Sequence, residues 1–433
     1  MTAVEGWETK ILRDLADIHI SNVDKKVHAS EMPVKLCNYM DVYSNEYITN
    51  RIQFMDASAS IAEVERFSLN FGDVIITKDS ETPDDIGIPT VVSEKIDDLV
   101  CGYHLALIRP NPDQLDSVYL AKQLSTSQVA RYFAIRASGS TRYGLPISAI
   151  ETVEIPTPPK PEQTKIAEIL STVDQAIEQT EALIAKQQRI KTGLMQDILT
   201  RGIDEHGNLR SEETHEFKDS PLGRIPTEWD TIDFGDVGEW YSGGTPSKAN
   251  NRFWNGGVPW VCPKDMKQFE LFSSIDTITK YAVETGTKLM PVATVFIVVR
   301  GMILAHTFPV GYAIRKVAFN QDVKAIVTKE RINGRYLAYW LVSHSHEFLK
   351  LTTTATHGTK RFDMDELYAL PIGLPQPYEQ QSIINVFDEQ QALIDRMLIQ
   401  AHKLQALKTA LMQDLLTGKV RVTPLLEKME ANT

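Results

Sequence analysis

The residues of this chain best suited to chemistry are cations interleaved with aromatics. Between Ser117 and Ile150 there is no aspartate or glutamate, while Lys122, Arg131, Arg136 and Arg142 alternate with Tyr119, Tyr132, Phe133 and Tyr143. Arginine forks onto phosphate oxygens or onto the O6 and N7 edge of guanine. Tyrosine packs on sugars or hydrogen-bonds phosphate, so the set suits contact with DNA. A solvated basic helix face has the same composition. A second set, Thr356, Thr359, Lys360 and Arg361 in THGTKRF, offers hydroxyls and cations from a loop.

Other chemistries fail on spacing. GGTPSK at Gly243 lacks the GxxxxGK[ST] pattern of a nucleotide-phosphate loop, and neither GxGxxG nor an Asn/Asp-Pro-Pro-aromatic methylase motif occurs. His344 and His346 in SHSHEF have no third ligand at metal-binding spacing. Asp79, Glu81, Asp84 and Asp85 follow a strand signal as a solvated acidic loop rather than a nuclease site. Cys37, Cys101 and Cys262 form no CxxC pair, which argues against a zinc module or disulfide framework and for a reducing cytoplasm. The expectation is a chain with no catalytic residue and no metal or cofactor of its own.

The elements that must position these residues come in duplicate. Glu162 to Thr200 recurs without a gap, 217 positions later, as Glu379 to Thr417, and KTGLMQDILT at Lys191 pairs with KTALMQDLLT at Lys408. In the first copy Ile166, Leu170, Val173, Ile177, Thr180, Ile184, Gln187, Lys191, Leu194 and Ile198 step by four and three, a heptad seam. The second copy reads Ile383, Phe387, Gln390, Ile394, Met397, Ala401, Leu404, Lys408, Leu411 and Leu415. Pro161 and Pro377 mark the starts. Each helix should be roughly 55 to 60 Å long. Its narrow stripe needs a partner, most simply the other copy in an antiparallel pair about a pseudo-twofold axis. Lys191 and Lys408 interrupt the seam at equivalent places, either fixing its register or snorkelling from its edge.

The repetition extends upstream. Trp7-Glu8-Thr9 is matched by Trp229-Asp230-Thr231, and GSTRYGLPISAI at Gly139 runs parallel to GTKRFDMDEL at Gly358. Strand signals such as DVIIT, HLALI and TVFIVV alternate with helical patterns, so the modules read as mixed α and β. The α+β expectation is two globular domains, 1–157 and 222–374, separated by two long helices, 158–200 and 375–420, with a linker at 201–221 and a tail at 421–433. The most apolar run, Leu289 to Val299, is too short to span a bilayer, and the N-terminus lacks the basic start and apolar core of a signal peptide. The net charge of −12 opposes indiscriminate binding to a phosphate backbone, so any nucleic-acid contact needs local basic surfaces and partners that share it.

Several features together give a resemblance over nearly the whole chain: the PKPEQ and PQPYEQQ helix entries, the twin KTxLMQD(I/L)LT helix ends and GGTPSKANNRFWNGGVPWV. The chain resembles the specificity (S) subunits of type I restriction-modification enzymes. The resemblance implies two target recognition domains that each read one half of a bipartite, asymmetric double-stranded DNA target. It also implies helices that space them and bind two methyltransferase subunits, which carry S-adenosylmethionine, with motor and nuclease (restriction) subunits joining for cleavage. A twofold-related reader needs half-sites about a helical turn, ~34 to 36 Å, apart. By the same resemblance DNA contacts fall at Thr77, Lys78, Ser140, Thr141, Arg142, Tyr143, Thr245, Lys248, Thr359, Lys360 and Arg361, with Arg300 a further candidate; Arg131 and Arg136 join them from the basic segment. The alternative from another class is a coiled-coil assembly scaffold whose globular domains bind no DNA, and a chain with its own nuclease or methylase site is a third.

Overall fold

The computed structural model describes residues 4–354 and 358–430. The chain forms two compact units, Met1–Glu181 with Ile399–Thr433, and Ala182–Leu398. In the first unit a five-stranded sheet runs in the order Ala16–Ile20, Leu105–Pro110, Val74–Thr77, Pro89–Val92, Tyr47–Ile48. The first three pairings are antiparallel and the last is parallel. The second unit repeats both order and senses with Gly238–Ser242, Val323–Thr328, Val295–Val298, Val310–Ala313 and Glu270–Leu271. The central strands VIIT and VFIV are buried throughout, as β-branched runs covered on both faces should be. The secondary sheets differ. Three strands, Met55–Ala59, Met32–Cys37 and Leu99–Cys101, stand beside the first sheet, and four, Thr277–Ile278, Trp254–Val261, Val317–Phe319 and Leu289–Met290, beside the second.

Each unit is closed at its base in the same way. Glu8–Ile11 pairs with Glu154–Thr157, and Asp230–Asp233 with Pro371–Leu374. The buried Gln163 accepts from the Asp116 amide at 2.9 Å and donates to the Gln114 and Pro158 carbonyls. Gln380 accepts from Asn333 at 2.8 Å and donates to Arg331 and Pro375. The neighbouring glutamate ties in the module's opening tryptophan and an arginine from beyond the end of a long helix. Glu162 accepts from Trp7 Nε1 at 3.2 Å and from Arg421 Nε at 2.7 Å. Glu379 accepts from Trp229 Nε1 at 3.1 Å and from Arg210. The Glu-Gln entry is therefore a buried fastening, which accounts for its presence in both copies.

The segment 201–221, expected as a linker, is structured at both ends. Gly202 turns the chain at φ +69°, where a Cβ would strike Arg210, Glu379 and Trp229. Ile203 and Arg210 are buried, and Phe217–Ser220 forms a hairpin with Gly223–Pro226. The tail likewise carries a helix, Thr423–Glu430.

The long helices are Lys160–Arg201, 42 residues, and Pro377–Leu415, 39 residues. Their halves pair within each unit. In the first, Ile166 and Leu170 share a core with Leu415 and Leu416, and Asp174 lies 2.8 Å from Lys408 Nζ, so the two segments run antiparallel. In the second, Met195, Ile198 and Leu199 share a core with Ile383 and Phe387, while Gln187 bonds Gln390 at 2.8 Å.

The seam lysines are both engaged across the pair, but unequally. Lys408 meets the carboxylate of Asp174, which also takes Lys122 at 2.6 Å. Lys191 occupies the equivalent place against neutral Gln391 at 2.5 Å, and burial pulls its pKa below the ordinary value. We expect Lys191→Leu to stabilise the chain by roughly 1 kcal/mol or less, because a half-buried charge that Asp395 and Asp388 only partly offset is exchanged for seam packing. Lys408→Leu should instead destabilise it by ~1 to 3 kcal/mol, because it strips Asp174 of one of two cations. Urea unfolding of the two variants checks the opposite signs.

Candidate DNA interface

In each unit the central strand continues past the sheet into a small antiparallel ribbon. In the first, Asp79–Ser80 pairs with Tyr143–Gly144, which pairs with Ser138–Gly139. Ser140, Thr141 and Arg142 form its exposed tip, with Tyr143 half-buried behind them. In the second, Arg300 bridges to Arg361 in the strand Lys360–Phe362, which pairs with Thr352–Thr354.

The two ribbons superpose by register. Ile76 lies opposite Ala106 and Ile297 opposite Lys324, so Lys78, Asp79 and His104 correspond to Val299, Arg300 and Asp322. The Lys78 amide donates to the His104 carbonyl at 2.8 Å, and the Val299 amide to Asp322 at 2.9 Å. The Leu145 amide donates to Lys78 at 2.8 Å and Phe362 to Val299 at 3.2 Å. Leu145 thus matches Phe362, the helices' spacing of 217, and Tyr143 matches Lys360.

The structure brings together Lys78 and Ser140 to Tyr143 in one unit, and Arg300, Lys360 and Arg361 in the other. Thr245 joins the second group, because its hydroxyl bonds Gln321, the neighbour of Asp322, at 2.5 Å. Exposed Lys248 follows on the same loop, and half-buried Thr359 precedes the ribbon strand. Thr356 lies outside the described residues. The glycines of GGTPSK serve close backbone packing rather than phosphate: a Cβ on Gly243 would meet the Phe319 carbonyl oxygen at 2.3 Å and one on Gly244 that of Gly286 at 2.3 Å.

The expected contact at Thr77 is corrected, and the basic segment is divided between interior and surface. Thr77 is fully buried and its hydroxyl accepts from the Ile88 amide at 3.0 Å, so it cannot reach a groove. Of the basic segment, Lys122 is buried against Asp174, Tyr119 donates to the Pro156 carbonyl at 2.9 Å, and Phe133 is core. Arg131 and Arg136 are exposed on the helix Ser127–Arg136 that leads into the ribbon, but five residues apart they leave it on different sides, and Arg136 stacks on Tyr132 at 3.7 Å. His344 stacks on Trp340 at 3.8 Å with its Nδ1 2.9 Å from that residue's carbonyl, and burial lowers its pKa.

The acidic loop is partly neutralised. Asp79 Oδ2 lies 2.5 Å from His104 Nδ1 and Oδ1 accepts from Lys78 Nζ at 2.9 Å. Burial alone would raise its pKa, but these two bonds outweigh it and hold the carboxyl below its ordinary range. In the second unit Arg300 binds Asp322, with Nε 2.7 Å from Oδ1. His104, Asp322 and Gln321 went unrecognised in the sequence. The one signal they carry is their place just before the strands Leu105–Pro110 and Val323–Thr328.

Two units of one fold, each presenting a ribbon with exposed arginine at the end of its central strand and joined to duplicated helices, define a protein with paired, unlike surfaces. The family model described as type I restriction modification DNA specificity domain matches residues 4–187 and 226–409. The chain belongs to that family, the specificity subunits of type I restriction-modification systems. It is 34% identical over 195 residues to the EcoR124I/EcoR124II specificity subunit of Escherichia coli, an alignment covering 44% of this chain and 48% of that protein. Identity is 23% over 428 residues to the putative MjaX specificity subunit of Methanocaldococcus jannaschii, covering 96% and 94%. Thus the match spans about half the length of the first relative and nearly all of the second. The fold is shared with the S subunit of a type I restriction-modification system from M. genitalium, at TM-score 0.54, 16% identity and coverage of 94% and 96%. A chain from a structure of type I R-M complex assembly and conformational transition gives TM-score 0.58 at 16% identity, covering 95% and 98%.

Proposed function

We propose that this chain reads one bipartite, asymmetric DNA sequence, each unit contacting one half through its ribbon and adjoining loops, and that it contributes no catalytic residue. The observation that carries this reading is one ribbon geometry in both units displaying different side chains. Ser140, Thr141, Arg142 and Tyr143 stand in one, and Lys360, Arg361 and the neighbouring Thr245 and Lys248 in the other. Common geometry with unlike side chains is what two unlike half-sites require. In this reading 1–157 and 222–374 are the recognition regions. The duplicated helices recruit two methyltransferase subunits, which supply S-adenosylmethionine, and restriction subunits join that complex in the cytoplasm. The chain's negative charge makes those partners contributors to phosphate affinity.

Sequencing of DNA methylated by the chain together with methyltransferase subunits should return a single split motif. Arg142→Ala should relax base preference in one half only and Arg361→Ala in the other, each lowering the slope of log affinity against log salt by about 1. Thr77→Val should leave both halves and the affinity unchanged while lowering stability by ~1 to 3 kcal/mol, because the Ile88 amide loses its buried acceptor. If both arginine variants assemble and methylate the unaltered motif, the domains do not read DNA through these ribbons and a scaffold role takes precedence.

A further inference from the structure

At the point where the central strand leaves the sheet for the ribbon, each unit pairs an acid with a base across the same two positions, and the order of acid and base is reversed between the units; in the first, Asp79 also binds the adjacent Lys78 at 2.9 Å. In the first unit the strand side holds the acid, Asp79, and the residue before the next strand holds the base, His104. In the second the strand side holds the base, Arg300, and the matching position holds the acid, Asp322. The backbone bonds that establish this correspondence are the same in both units, Lys78 to His104 and Val299 to Asp322.

The pairs sit between sheet and ribbon. Gly144 lies so close to Asp79 that a Cβ there would stand 2.9 Å from Oδ1, and Gly144 is the register partner of Asp79 in the ribbon. Arg300 is likewise the bridge partner of Arg361. Asp322 is fixed in turn, receiving Asn320 Nδ2 at 2.9 Å while its amide donates to Asn320 Oδ1 at 3.1 Å. These side chains are only partly buried, at 25% and 17% for His104 and Asp79, and 52% and 25% for Arg300 and Asp322. Neither pair lies in the core, and each is placed to hold the angle of a two- or three-stranded ribbon that has little packing of its own.

We infer that Asp79–His104 and Arg300–Asp322 are equivalent positioning clamps with acid and base exchanged, and that Arg300 serves recognition through Asp322 and the ribbon rather than as a direct DNA contact. The inference rests on the DNA-reading role proposed above. What the duplication retains here is attraction between two positions. The identity of the acid and the base is free to change, because either polarity anchors the same backbone geometry.

The inference reverses the expected sign of a charge change. Asp322 is an anion beside the surface offered to phosphates, so by long-range electrostatics alone Asp322→Asn strengthens DNA binding. A clamp predicts loss: with the full chain and its methyltransferase subunits selecting from a pool of randomised duplexes, Asp322→Asn lowers discrimination at the half-site read by the second unit by about tenfold, the size of one mismatched base pair, and leaves the other half unchanged. Asp79→Asn does the same to the first half. The exchanged pair Arg300→Asp with Asp322→Arg restores discrimination to within about threefold of the wild type, because attraction is rebuilt with the polarity reversed. That double variant also guards against a misfolded single variant. Retained or improved discrimination in Asp322→Asn, or an exchanged pair no better than Arg300→Asp alone, overturns the clamp. A wild-type selection with no split motif overturns instead the DNA-reading role on which it rests.

Discussion

Replacing Glu379 by alanine is expected to lower the unfolding free energy by about 3 to 5 kcal/mol, the penalty for leaving one member of a buried ion pair alone. Glu379 is 1% exposed and its partner Arg210 4%. The carboxylate serves three donors: Arg210, Trp229 Nε1 at 3.1 Å and the Ile203 amide at 3.0 Å. Alanine strands all of them, one charged, in a place water does not reach. Arg210 keeps Glu228 at 2.9 Å, but that carboxylate is mostly exposed and compensates little. The matching change at Glu162 should cost less, about 1 to 3 kcal/mol, because Arg421 is 29% exposed and regains water when its partner is lost. Urea unfolding followed by circular dichroism checks the ranking. Equal losses at the two sites, or a loss below about 1 kcal/mol at Glu379, would show that the base of the second unit is not held by this carboxylate.

The same contrast explains what the amino-acid pattern could and could not reveal. The helices were legible because a heptad seam is a local period, and duplication shows itself by identity at a fixed offset: Ile166 with Ile383, Lys191 with Lys408. The glutamate and glutamine of each helix entry were visible as repeats, but their purpose was not. Their partners lie far off in sequence, at Trp7 and Arg421 or Trp229 and Arg210. Burial of ionic groups misled the reading of the basic segment. Lys122 and Arg136 are alike in composition, yet one faces Asp174 in the interior and the other lies on Tyr132 in solvent. Thr77 failed as a contact for a related reason. It ends a strand buried on both faces, and only beyond it does the chain emerge into the ribbon. The clamps were invisible as a motif because no residue type recurs at matching positions, Asp79 standing where the other unit has Arg300 and His104 where it has Asp322, and only a relation between two positions is shared.

Exchange of residues 1–157 for the corresponding region of another family member should abolish methylation of the original sequence and redirect it to one that differs in one half alone. Among the polar contacts that tie the region to the rest of its unit are Trp7 with Glu162, the Asp116 amide with Gln163, Gln123 Nε2 with the Leu416 carbonyl at 2.8 Å, and Lys122 with Asp174, an acid that also accepts from Tyr47 at 2.7 Å. A donor that keeps tryptophan, glutamine and a cation at the positions of Trp7, Gln123 and Lys122 preserves these side-chain contacts. The ribbon and its clamp travel with the donor as one piece, because Asp79, His104 and Tyr143 all lie within it. Specificity should therefore move with the ribbon, and assembly should stay with the helices. Sequencing of DNA methylated by the hybrid complex reads both halves at once. A hybrid that assembles yet methylates the original two halves, or that changes both, would mean that recognition is not divided between the units. Loss of assembly in a hybrid that keeps the three base residues would instead place partner binding in the exchanged region.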